Sequence, residues 1–285
     1  MDIYHELKIN ASGEHQDILI AEMSELDFVS FTQEDDYIQA YILQEKFNEQ
    51  KEAIDEILLR YGVPAPAIQL LENNINWNAR WEENFNPIEI PPDIRVRAPF
   101  HAPDPSYRYD ILIQPKMSFG TGHHETTQLM LELMLEVDFN NAVCLDMGCG
   151  TGVLAILANR LGAVFTIAID YDAWCFENAA ENFELNHIDN ATVVLGDAAT
   201  LSDEEFLALW LPHNKRVILS NITRNYNIEN LAQYHNITQP GSVILLSGFY
   251  ESDLNDITKA ALSYGIKFVK SKSKNNWCAA LFVQQ

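Results

Sequence analysis

Positive charge is scarce in this chain. Its 285 residues carry 18 lysines and arginines against 41 aspartates and glutamates, a formal net charge of −23. A protein that tracks a phosphate backbone needs the opposite balance, so direct nucleic-acid binding is not expected. Cysteine is scarce as well. Cys144, Cys149, Cys175 and Cys278 show no close paired spacing, which argues against a zinc site of paired cysteines and against a disulfide framework. Long apolar runs are missing: none approaches the roughly 20 residues that span a bilayer. The start "MDIYHELKIN" has neither a basic lead nor a long apolar core. The expectation is a cytoplasmic chain with no membrane partner.

What is present is enough apolar residue, 47% of the chain, for packed cores, and two distinct rhythms. From Asp2 to about Asn74, "IYHELKI" is strand-like and "EHQDILIAEM" is helically spaced. "DFVSF" and "YIQAYIL" form two strands about a polar turn, a helical run ends near Gly62, and "AIQLL" closes the module. That order is the split βαβ, ferredoxin-like arrangement of a small α+β domain. Residues 1–61 hold 15 acidic and 4 basic side chains, about half of the whole chain's excess. A strongly acidic module without catalytic motifs suits the docking of a basic partner.

Residues 75–115 are rich in proline and aromatic residues. Trp77, Trp81 and Phe85 recur every four residues before Pro87, the spacing of one face of a short helix. This stretch is expected to be a linker helix and inter-domain joint. Residues 116–285 then alternate strand and helix. "AVCL", "FTIAI", "TVVL", "RVILS" and "SVILLS" are short and apolar, as buried parallel strands are. Helical patterns separate them at 153–160, 174–185, 226–237 and 253–263. The end, "KFVKSKSKNNWCAALFV", predicts an antiparallel hairpin. The fold class is therefore α/β, a Rossmann-like doubly wound sheet with a C-terminal antiparallel hairpin.

Ligands of such sheets bind at the carboxyl ends of the strands. The first strand runs into "LDMGCGTGVLA", whose Gly148 and Gly150 permit a tight turn and a close backbone approach. A dinucleotide turn wants its third glycine at the sixth position, where this chain has Val153. With Asp146 just ahead, the spacing favours a nucleoside with a short charged tail. Asp170 ends the second strand, where a carboxylate can accept from both ribose hydroxyls. Asp197 ends the third and is a candidate acceptor for an adenine amino group, or simply a helix N-cap. Asn221 ends the fourth, where cofactor and substrate should meet. Together these positions describe S-adenosylmethionine on a class I methyltransferase sheet.

One stretch remains, "MSFGTGHHETTQLML" at 117–131. A phosphate loop needs Gly-Lys-Ser/Thr, and there is no lysine here. A metal site needs well-spaced ligands, whereas His123, His124 and Glu125 are consecutive. No metal is expected. "FGTGHHETT" (119–127) resembles the F-G-T-G-x-H-x-T-T signature of the methyltransferases that modify large-subunit ribosomal protein eleven (L-eleven). The resemblance extends through the acidic module, "WNARWEENFNPI", "DMGCGTG", Asp170, "SNI" and "LLSG", so it covers essentially the whole chain. It implies a cytoplasmic enzyme that methylates lysine side chains and the N-terminal amine of L-eleven, a basic protein substrate. Residues 1–74 would recognise the substrate, 75–115 would let that domain reposition, and 116–285 would carry S-adenosylmethionine. By the same resemblance Thr127, Gly148, Asp170 and Asn221 contact the cofactor, and Phe119, Gly120 and Thr121 form a loop over it. Thr223 and Arg224 stand where the family has small apolar residues, and Asn275 and Asn276 where it has an acidic pair. The competing readings are a methyltransferase for RNA or a small molecule, and a silent cofactor-binding module.

Overall fold

The computed structural model describes residues 4–11, 14–24, 26–33, 36–71, 86–115 and 124–285. They form two compact units, Met1–Phe85 and Asn86–Gln285.

The first unit is the split βαβ arrangement expected. Strands β1 (Tyr4–Asn10), β2 (Phe28–Gln33), β3 (Tyr37–Leu43) and β4 (Ala67–Leu71) are joined through helices α1 (Glu14–Met23) and α2 (Gln44–Arg60). The sheet order is β2-β3-β1-β4, antiparallel throughout. Alternation decides its inner face: Leu7 and Ile9 on β1 and Ile38, Ala40 and Ile42 on β3 are fully buried. They pack with Phe47, Ile54 and Leu58 of α2, which recur at helical spacing. The helix of Trp77, Trp81 and Phe85 expected from the sequence lies outside the described residues.

The second unit opens with three short strands, β5 (Ile88–Ile90), β6 (Ile94–Arg97) and β7 (Tyr109–Leu112), in one sheet. They lie within the stretch read as a joint, and Ile94, Val96 and Ile111 are buried in the core of this unit. The main sheet follows: β8 (Val143–Met147), β9 (Phe165–Asp170), β10 (Ala191–Leu195), β11 (Arg216–Asn221), β12 (Val243–Tyr250), β13 (Ile266–Lys274) and β14 (Trp277–Gln284). Their order is β10-β9-β8-β11-β12-β14-β13. The first five are parallel and the last two antiparallel, the α/β sheet with a terminal hairpin that the apolar runs implied. β8 is buried at every residue, which is why it reads as an uninterrupted apolar run rather than an alternating one.

Helices cover both faces. α3 (Glu125–Met134), α4 (Val153–Arg160) and α5 (Ala173–Leu185) contribute Leu129, Met130, Ile156 and Phe183 to one core. α6 (Glu204–Trp210), α7 (Arg224–Glu229), α8 (Leu231–Ile237) and α9 (Leu254–Leu262) contribute to the other, with Trp210, Leu231, Tyr234 and Ile257. The helix expected over 226–237 is thus two, divided at Asn230. The edge strand β13 carries lysines on alternate positions, a common guard against edge pairing. Here they face α3: Lys270 pairs with Glu136, Lys272 with Glu132 at 3.2 Å and Glu136 at 3.0 Å, and Lys274 with Gln128 at 2.6 Å. Gln128 and Glu132 stand four residues apart on one face of the helix, and Glu136 continues that spacing just past its end. None of the described helices is long and apolar enough to cross a membrane.

Candidate functional site

Strand β8 delivers Asp146 and Met147 to the carboxyl edge, and the chain turns through Gly148–Gly152 into α4. The turn hangs on the neighbouring strand: Gly148 and Cys149 donate their N–H groups to the Ile169 carbonyl at 2.8 and 3.1 Å. Asp170 completes the attachment. One carboxylate oxygen accepts from the Gly150 N–H at 2.9 Å and the other from the Asp172 N–H at 3.0 Å. Asp170 is only 6% exposed, yet each of its oxygens keeps a further lone pair for a ligand hydroxyl. Asp146 is sealed beneath the turn and accepts from the Ala155 N–H at 3.0 Å. Burial pushes its carboxyl up to about 8, against the pull of the Ala155 N–H and with added repulsion from Asp170. Burial also pushes the Cys149 thiol up, so this cysteine is not a nucleophile at neutral pH.

Asp197 follows β10 and is exposed; it caps a 3-10 turn by accepting from the Ala199 N–H at 2.8 Å. That is the N-cap reading entertained for it, and its second oxygen takes no part in that cap.

Asn221 ends β11. Its Nδ2 donates to Thr127 Oγ1 of α3 at 3.3 Å, which joins two sequence-predicted residues 94 positions apart. Its Oδ1 is buried and has no hydrogen-bond partner among the described residues. A buried carbonyl oxygen without a donor costs of the order of 1–3 kcal/mol, so this atom is poised to accept. Thr127 is itself 1% exposed. His124 caps α3, with Nδ1 2.8 Å from Thr126 Oγ1, and its ring meets the Trp277 ring edge-on at 4.7 Å. Trp277 in turn stacks on Tyr250 at 4.3 Å. Phe119, Gly120, Thr121 and His123 lie outside the described residues.

Two features of this region were not recognised as site-forming from the sequence. Ile222 is wedged between two glycines. A Cβ on Gly148 (φ +68°) would fall 2.3 Å from the Ile222 side chain, and one on Gly248 (φ +88°) would fall 1.9 Å from the Ile222 carbonyl oxygen. Gly248 sits at an irregularity of β12 opposite β14, and a glycine inside an apolar strand is the available sign of such a close approach. The second feature is a buried polar cluster: Tyr234 OH donates to Ser220 Oγ at 3.0 Å, and Ser220 donates to Asn227 Oδ1 at 2.9 Å. Asn227 Nδ2 donates to the carbonyls of Ile222 at 3.0 Å and Ser247 at 2.8 Å.

The described residues therefore bring Thr127, Gly148, Gly150, Asp170 and Asn221 to one edge of one sheet, with Asp197 on the next strand end. An acidic diol acceptor, a glycine turn and an unsatisfied amide oxygen fit a nucleoside that carries a reactive tail. Among the described residues no group of three or more histidines, cysteines or acids could hold a metal ion.

The model of the family described as ribosomal protein L11 methyltransferase (PrmA) matches residues 6–285. The chain is 40% identical over 270 residues to the ribosomal protein L11 methyltransferase of Porphyromonas gingivalis, covering 93% of this chain and 90% of that protein. It is 41% identical over 273 residues to that of Phocaeicola vulgatus, covering 94% of each. Among solved structures, it resembles a ribosomal protein L11 methylase from Lactobacillus delbrueckii subsp. bulgaricus with a TM-score of 0.61 at 20% identity. That likeness covers 70% of this chain and all of the other, and it supports the fold.

Proposed function

Because this chain belongs to the ribosomal protein L11 methyltransferase family, we propose that it transfers methyl groups from S-adenosylmethionine to lysine side-chain and N-terminal amines of ribosomal protein L11. Residues 1–74 would recognise the substrate, 75–115 would join the two parts, and 116–285 would carry the reaction. The charge balance of 15 acidic to 4 basic residues over 1–61 supports a basic partner for the first part.

The residues that would hold the cofactor are Gly148 and Gly150 through the turn, Asp170 through its remaining lone pairs, Thr127 and Asn221 at the reacting end, and Phe119, Gly120 and Thr121 from the signature. Asp197 would contribute through whichever oxygen its cap leaves open. When bound, S-adenosylmethionine supplies an electrophilic methyl group on a cationic sulfur.

What this chain must do is present a neutral amine in line. An ammonium has no lone pair, and the unperturbed pKa is about 10.4 for lysine and about 8 for an α-amino group. A dry site lowers both by disfavouring the charged form. The observation that carries the reading is the buried Oδ1 of Asn221, which has no hydrogen-bond partner among the described residues. It accepts an N–H of the incoming amine and aims the lone pair, while the bond from Nδ2 to Thr127 keeps the amide from turning over. Nearby backbone carbonyls would share in accepting the amine hydrogens, since a carbonyl that already accepts one bond keeps a second lone pair.

The test is incubation with labelled S-adenosylmethionine and undermethylated ribosomal proteins. Label in L11, released after digestion as methyl-lysine and a methylated N-terminal residue, is the expected result. Label in rRNA or in a small molecule, or none at all, would overturn the reading. Asn221→Ala should reduce turnover about 100-fold or more while changing affinity for S-adenosylhomocysteine little; equal losses would make Asn221 a binding contact only.

A further inference from the structure

Asn227 is fully buried, lies in α7, and is six residues beyond the candidate catalytic asparagine. It has no place in the reaction described above. Its hydrogen bonds nevertheless surround Asn221. Oδ1 accepts from Ser220 Oγ, one residue before Asn221, and Nδ2 donates to the carbonyl of Ile222, one residue after. The same Nδ2 donates to the carbonyl of Ser247, the residue paired with Asn221 across the parallel ladder. One side chain thus holds the side chain before Asn221 and the backbone carbonyls after and beside it.

The amide can sit in one orientation only. Both carbonyls are acceptors, so they must face the nitrogen. Ser220 must then donate to Oδ1, and its own lone pair receives the Tyr234 hydroxyl at 3.0 Å. Burial pushes that phenol up to about 12, opposed by its bonds to Ser220 and Asn230. It therefore stays a donor across the working range, and no member of the chain of bonds is left to choose its direction. The clamp also reaches the donor side. Ile222, held by its carbonyl, presses its side chain on Gly148, where a Cβ would come within 2.3 Å. One hydrogen-bond network therefore holds the chain about Asn221 and seats Ile222 against Gly148.

We infer that Asn227 is a positioning residue, which fixes Asn221 and Ile222 so that the amine acceptor and the cofactor turn stand in line. This rests on the reading of Asn221 as the amine acceptor. It predicts that Asn227→Asp, which keeps the shape and loses both donors, lowers kcat by about 10- to 100-fold, as misplacement by an ångström does. Affinity for S-adenosylhomocysteine should stay within about threefold of the parent, because Asp170 and Gly150 are anchored elsewhere. Ser220→Ala, which keeps both Asn227 donors, should lose less than about threefold in kcat.

A purely structural role is separated by Ile266→Ala, which opens a cavity in the same core at the start of β13 and destabilises without touching the clamp. If that variant, matched in melting temperature, loses as much kcat as Asn227→Asp, the assignment is wrong. It is equally wrong if Asn227→Asp turns over at the parent rate. A second measurement separates this inference from the proposed function: backbone hydrogen exchange across 220–223 and 247–249. Faster exchange there in Asn227→Asp and not in Asn221→Ala supports the clamp even if L11 is not the substrate. Unchanged exchange overturns it even if L11 is methylated.

Discussion

Gly248 and Gly241 offer a matched pair. Their φ angles are +88° and +89°, but a Cβ on Gly241 would meet nothing within 4 Å, whereas one on Gly248 would lie 1.9 Å from the Ile222 carbonyl oxygen and 2.6 Å from its carbon. An L-residue in the left-handed region costs roughly 1–2 kcal/mol. Alanine returns about 0.4–1 kcal/mol of that by narrowing the unfolded ensemble. Gly241→Ala should therefore cost about 1 kcal/mol. Gly248→Ala carries the same backbone cost and something further. Real Cβ contacts stop near 3.0 Å, so the Ile222 carbonyl must retreat by about 1 Å from a well-packed position, at roughly 1–3 kcal/mol. That retreat strains or breaks the 3.0 Å bond from Asn227, and a buried polar group left unpaired costs about 1–3 kcal/mol more. The expected excess of Gly248→Ala over Gly241→Ala is about 2–6 kcal/mol. Urea unfolding of both variants reads it as a lower midpoint at unchanged slope. Methyl transfer should fall only in Gly248→Ala. Two variants that agree within about 0.5 kcal/mol would refute the claim that the carbonyl of Ile222 is pinned against β12.

Two further consequences concern groups beneath and beside the turn. Asp146 is protonated in the native state up to about 8, while in the unfolded chain it ionises near the ordinary carboxyl value of 3.8. Between these values the native state holds the extra proton, so stability falls as pH rises, by at most about 1.4 kcal/mol per pH unit. Asp146→Asn should flatten that slope in urea unfolding from pH 4 to 9; an unchanged slope would assign the carboxyl an ordinary pKa. Asn182 on α5 is fully buried, donates to the Thr151 carbonyl at 2.9 Å and accepts the Gln114 N–H at 2.7 Å. Asn182→Leu strands both backbone groups and should cost about 2–4 kcal/mol by the same measurement; a loss below about 0.5 kcal/mol would mean that water replaces the amide.

The parallel strands were legible as apolar runs, which follow from burial on two faces in β8, β9 and β11 and persist in the half-buried edge strand β10; β8 to β12 lie where those runs do. The hairpin was legible because Asn275 and Asn276, both with positive φ, mark a two-residue turn. β5 to β7 were not, since strands of three or four residues set among prolines carry no measurable period. α6, Glu204–Trp210, is likewise too short to show one. The site divides along the same line. Asp170 and Asn221, the contact residues proposed here, could be singled out because a polar residue closing an apolar strand stands out by position alone. Asn227 could not: in the sequence it is one more polar residue in "TRNYNIENL", and its meaning comes from Ser247 and Ser220, which folding brings to it. Gly248 gave a partial sign, as a glycine within an apolar strand, but nothing in the order of residues says that its neighbour is the carbonyl of Ile222. Side chains that meet a ligand are displayed at the ends of elements and can be read there. Those that hold the backbone in place act through contacts between elements, and Asn227 and Gly248 become readable only once β11 and β12 are side by side.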